Sequence, residues 1–78
     1  MNPRVKTIQP IVNFKLKIEF LNGEIKIFDV QPYLKYPVYK SLIDVHYFKQ
    51  VIVINGTAVW PHEEDFCPDT LYIESLKV

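Results

Sequence analysis

The sequence holds a single cysteine, Cys67, and only two glycines, Gly23 and Gly56. One cysteine closes no internal disulfide and builds no thiolate metal cage, which excludes a disulfide-stapled scaffold and makes the reducing cytoplasm the expected compartment. Long apolar runs are also missing. The longest aliphatic stretch is Val51-Ile52-Val53-Ile54, far short of the roughly 20 residues a membrane helix needs. The first residues place Arg4 and Lys6 among scattered apolar positions, with no continuous apolar segment of the kind a signal peptide carries. Net charge is absent as well, with nine Lys and Arg against nine Asp and Glu. The balance hides an asymmetry, because residues 1–60 hold eight basic and four acidic residues while 61–78 hold one lysine and five acids. The lysines are spread singly along alternating positions, which argues against the basic stripe of a direct nucleic-acid binder.

What is present reads as one small globular domain over residues 1–78, with 49% hydrophobic and 23% charged residues. A chain of this length buries only about 60 to 65% of its unfolded surface, so self-association or a small protein partner is expected to complete it. No internal repeat, low-complexity segment or linker interrupts the pattern.

Phe14-Lys15-Leu16-Lys17-Ile18-Glu19-Phe20 alternates apolar and charged residues, the period of a strand with one wet face. Asn22-Gly23 follows, and Asn-Gly favours the positive φ angles of a two-residue type I′ hairpin leading into Glu24–Val30. That turn sets a register in which Phe20 faces Ile25 and Ile18 faces Ile27 on the core side, Glu19 faces Lys26, and Leu16 lies opposite Asp29. Gln31-Pro32-Tyr33-Leu34 starts a turn of helix. Pro37 opens another through about Leu42, and Asp44 caps a third over Val45–Phe48. Val51–Ile54 is β-branched throughout and precedes Asn55-Gly56, which predicts a second hairpin with Thr57–Trp60. Its apolar faces predict a central strand. Pro68-Asp69-Thr70 opens a last helix whose Leu71 and Leu76, with Tyr72 or Ser75, face the sheet. With a strand near Val5–Gln9, the fold class is α+β: a small mixed, mainly antiparallel sheet of four to five strands, with two Asn-Gly hairpins and short helices on one side.

The only dense group of reactive residue types is His62, Glu63, Glu64, Asp65 and Asp69, beside Trp60 and Cys67. Its spacing matches no zinc ligand set, and the metal and cofactor expectation is none. The surrounding charged residues are acids, with no cationic neighbour that would favour a nucleophilic thiolate, so Cys67 reads as a half-buried structural residue between Phe66 and Pro68. No catalytic residue is assigned. A weaker site remains in Trp60, His62, Asp65, Asp69 and Tyr72, where an aromatic wall meets polar groups and a cation or polar neutral ligand is the fitting class. Tyr33, Tyr36, Tyr39 and Tyr47 form an aromatic middle that serves either the core or a protein interface.

Several stretches resemble one family. They are Pro3-Arg4-Val5-Lys6, Phe20-Leu21-Asn22-Gly23-Glu24, Phe28-Asp29-Val30 before Pro32-Tyr33-Leu34, Phe48-Lys49-Gln50-Val51, Gly56-Thr57-Ala58-Val59-Trp60-Pro61, Asp65, and Pro68-Asp69-Thr70-Leu71-Tyr72. Together they are similar to the small bacterial proteins of the domain of unknown function 2442 family, over nearly the whole chain. The resemblance implies a small α+β domain without an established activity. In some relatives it implies a place beside a helix-turn-helix module or in a two-protein, toxin-antitoxin-like pair. His62-Glu63-Glu64 departs from the short Asn- or Gly-containing loop that relatives often carry. The resulting expectation is a non-enzymatic interaction or regulatory module. A small-ligand or enzymatic domain built on Trp60 to Tyr72 is the alternative.

Overall fold

The computed structural model describes residues 2–78. The chain runs β1 (Val5–Ile11), β2 (Lys15–Phe20) and β3 (Ile25–Asp29), then 3₁₀ turns at Gln31–Tyr33 and Pro37–Ile43. It continues as α1 (Val45–Phe48), β4 (Ile52–Ile54), β5 (Thr57–Val59), α2 (Pro68–Ile73) and β6 (Leu76–Lys77). Four strands form one antiparallel sheet in the order β1-β2-β3-β6, and β4-β5 form a second. The α+β class holds. No described helix is long and apolar enough to cross a membrane.

The alternation of β2 is realised in full. Leu16, Ile18 and Phe20 are buried, and they join Phe28, Val30, Leu42, Phe48, Ala58, Trp60, Phe66 and Leu71 in one core shared by both sheets and both helices. Pro10 lies in β1, which is tolerated because β1 is an edge of its sheet.

Four details differ from the sequence-based expectations, each for a physical reason. The first hairpin closes with three loop residues. Phe20 N–H donates to Glu24 C=O at 2.9 Å and Gly23 N–H to Phe20 C=O at 2.9 Å. Gly23 is left-handed at φ 90° and Asn22 is not. The loop is therefore a type I turn with a bulge at Gly23 rather than type I′. Asn22 Oδ1 accepts the Glu24 N–H at 3.0 Å, and the Leu21 N–H donates to Arg4 C=O at 2.9 Å. The register slips by one, so Leu16 faces Phe28, Ile18 faces Lys26 and Lys15 faces Asp29. The slip removes Asp29 from the core face, where an unpaired carboxylate would cost several kcal/mol, and buries Phe28 instead. Asp29 then accepts the Gln31 N–H at 2.9 Å, capping the turn that follows.

Second, β4 is an edge strand of its own sheet and not a central one. Val51 and Val53 turn inward, while Ile52 and Ile54 remain 53% and 43% exposed. Third, α2 stops at Ile73, and Leu76 is an exposed strand residue and not a helical core residue. The carbonyl of Tyr72, freed at the helix end, accepts Lys26 Nζ at 2.5 Å and Ser75 Oγ–H at 3.1 Å. Fourth, Cys67 is exposed, because Phe66 takes the inward position before the chain turns into Pro68.

Candidate functional site

The segment after β5 folds back as a tight loop of the same design as the first hairpin. Trp60 N–H donates to Glu64 C=O at 2.9 Å, Glu63 N–H donates to Trp60 C=O at 2.9 Å, and Glu63 occupies the left-handed position at φ 72°. Val59 bridges to Asp65 and Phe66 N–H donates to Ala58 C=O at 3.3 Å. Thr57 Oγ–H donates to Phe66 C=O. The loop is thus a third rung on the second sheet.

The five residues Trp60, His62, Asp65, Asp69 and Tyr72 are separated by this arrangement. Trp60 is 1% exposed and its Nε1–H donates to Phe48 C=O at 2.8 Å. His62 is on the surface, its ring stacked on Tyr47 with centroids 4.8 Å apart. Asp65 and Asp69 are exposed, and Asp69 accepts a 3.3 Å hydrogen bond from Asn2. Tyr72 lies across α2, its hydroxyl donating to Glu24 Oε1 at 2.7 Å and its ring 4.0 Å beneath Lys26 Nζ. The hydrogen bond from Tyr72, ahead of the one from Asn22, holds the Glu24 carboxyl below its usual value, and the same bond raises the Tyr72 phenol. Among the described residues no group of three His, Cys, Asp or Glu side chains converges to hold a metal ion.

Of the four middle tyrosines, three are tied into the fold. Tyr33 stacks on Phe28 at 5.5 Å, and Tyr39 lies flat on Phe66 at 4.5 Å while its hydroxyl donates to Asp65 C=O at 2.8 Å. Burial pushes both phenols above their usual value. Tyr47 Oη accepts the His62 N–H at 2.7 Å and donates to Glu64 Oε1 at 2.5 Å. Burial, then the Glu64 hydrogen bond, raises its phenol too. Only Tyr36 is largely open, 48% exposed, with Lys35 Nζ 5.4 Å above its ring.

The outer face of the second sheet carries a feature that residue typing did not reveal. Ile52, Ile54 and Val59 line a concavity of about 660 Å³ with Pro61 and Pro68, with Arg4, Glu63 and Asp65 among its polar residues. A β-branched run reads as core whichever face it turns out to present, so residue types alone gave no signal for this surface.

The family model described as "Protein of unknown function (DUF2442)" matches residues 5–76. No curated protein and no solved structure is a significant match to the chain.

Proposed function

We propose, because the chain belongs to the DUF2442 family and carries exposed aliphatics on an open sheet face, that it is a non-enzymatic protein-interaction module. The observation that carries the reading is the pair Ile52 and Ile54, 53% and 43% exposed within a concavity that includes Glu63 and Asp65. Isolated exposed aliphatics are ordinary on a protein surface, but two side by side in a hollow favour an apolar partner group. With Arg4 on the same rim the two carboxylates leave one net negative charge, which favours a segment that also bears Lys or Arg, since opposite charges on the rim steer and orient docking. The occupant is a small partner protein presenting a basic, aliphatic segment, in keeping with the two-protein arrangements the family resemblance implies.

The test is purification of the tagged chain with its stoichiometric partner, repeated with the Ile52→Glu/Ile54→Glu double variant, followed by NMR shift mapping with the isolated partner. The expected result is a basic partner lost by the double variant, with shifts centred on Ile52, Ile54, Val59 and Asp65. A partner retained equally by the variant, or shifts centred on Tyr36 or on the acidic first turn of α2, would overturn it.

A further inference from the structure

The face of the four-stranded sheet turned away from the core is also open, and its pattern is unusual. Strand register sets its side chains in three rows, the last of them Ile11, Lys15 and Asp29 at the end away from the first hairpin. The first runs Thr7, Glu19, Ile25 and Val78, and the second Gln9, Lys17, Ile27 and Leu76. Ile25, Leu76 and Val78 are 42%, 76% and 81% exposed. In these first two rows half of the side chains are aliphatic and half polar, where a solvated antiparallel sheet would be polar throughout.

The first two rows are complementary to each other position by position: hydroxyl and amide, carboxylate and amine, then two aliphatic pairs. A two-fold axis lying in the plane of the face, perpendicular to the strands and between the rows, lays the first row of one copy on the second row of another. Thr7 then meets Gln9, Glu19 meets Lys17, Ile25 meets Ile27, and Val78 meets Leu76, each contact made twice as an isologous interface requires. We infer that this outer sheet face pairs with a second copy of the chain to give a face-to-face dimer. A foreign partner has no reason to match both rows, whereas a second copy matches them by symmetry. Glu19 already lies 3.7 Å from Lys6, but with 37% of its side chain exposed it has room for a second amine.

Four strands about 4.8 Å apart and about five residues long give a face of roughly 300 Å² in plan, about 600 Å² summed over two copies, which falls below the standard specific interface and in the range of weak, transient contacts. The dimer is therefore expected at micromolar strength, and sedimentation over about 10 to 500 μM brackets it. The wild-type chain is expected to move from monomer to dimer across that range. Lys17→Glu sets carboxylate against carboxylate twice and Glu19→Lys sets amine against amine twice. Each is expected to weaken the dimer roughly tenfold or more. The double exchange Lys17→Glu/Glu19→Lys restores both pairs and is expected to restore the dimer. Leu76→Glu, at a position that packs on nothing in the core, is expected to abolish it with an unchanged circular dichroism spectrum. A wild-type chain that stays monomeric at the top of the range overturns the inference. So does a dimer indifferent to Lys17→Glu, or a folded double variant that remains monomeric.

Discussion

Glu63 stands where Gly23 stands in the first hairpin. Both are the left-handed last residue of a three-residue loop, at φ 72° and 90°. A side chain there meets its own carbonyl, at about 1–2 kcal/mol, whereas glycine adopts the angle freely and loses somewhat more chain entropy on folding. Glu63 is exposed and among the described residues its carboxylate holds no hydrogen bond, so nothing local offsets the strain. Glu63→Gly is expected to stabilise the chain by about 0.5–1 kcal/mol, read as a rise of roughly 2–8 °C in Tm. Gly23→Ala, with open space around the added carbon but the same φ, is expected to lower Tm by a similar amount. A fall in Tm for Glu63→Gly would mean that the side chain holds the loop through a contact of its own.

At the level of elements, the hairpins show what a sequence does and does not specify. Asn55-Gly56 forms the two-residue loop its dipeptide predicts, both residues left-handed at φ 52° and 76° and Ile54 paired with Thr57. Asn22-Gly23 does not, because the neighbours decide: Leu21 N–H is taken by the Arg4 carbonyl just before β1, and the alternative register would bury Asp29. Alternation fixed which face of β2 is wet. For β3 it was silent, since Ile25, Ile27, Phe28 and Val30 supply aliphatic or aromatic side chains to both faces and only long-range packing chooses between them. The helical turns at Gln31–Tyr33, Pro37–Ile43 and Val45–Phe48 were legible because Pro and Asp act within a few bonds. The candidate groove was not legible, since exposure of Ile52 and Ile54 follows from which strand lies at an edge. Tyr47 shows the same limit at one element junction. Its hydroxyl ties the 61–64 loop to α1 through His62 and through Glu64, which is only 8% exposed. Tyr47→Phe leaves that carboxylate without its donor and is expected to cost about 1–3 kcal/mol in urea unfolding. His62→Ala, which keeps the backbone N–H, is expected to cost under about 0.5 kcal/mol. A larger cost for His62→Ala than for Tyr47→Phe, which keeps the ring, would place the stabilisation in the ring stack instead of the hydrogen bonds.

For the whole molecule the question is whether two sheets make one folding unit. The second sheet has two strands of three residues each, and an isolated two-stranded hairpin is marginal in water. Its inward residues do not form a core of their own. Ala58 and Trp60 are buried in the cluster that contains Leu16, Ile18 and Phe20 of the large sheet, and Phe66 joins the two through ring contacts with Phe28 at 5.1 Å and Trp60 at 6.0 Å. Val5 N–H, at the start of β1, donates to Gly56 C=O in the second hairpin at 2.9 Å. A shared core with such cross-links gives neither sheet a stable state without the other. Trp60, the single tryptophan, sits at the joint and reports the second sheet, while far-ultraviolet circular dichroism is dominated by the larger one. The urea transitions from the two probes are therefore expected to coincide in midpoint and slope, as for a two-state domain. A fluorescence transition that precedes the dichroic one would show the second sheet opening alone. The proposed groove on its outer face would then belong to a segment that a partner must order, and binding would carry the heat-capacity change of coupled folding rather than that of docking on a formed surface.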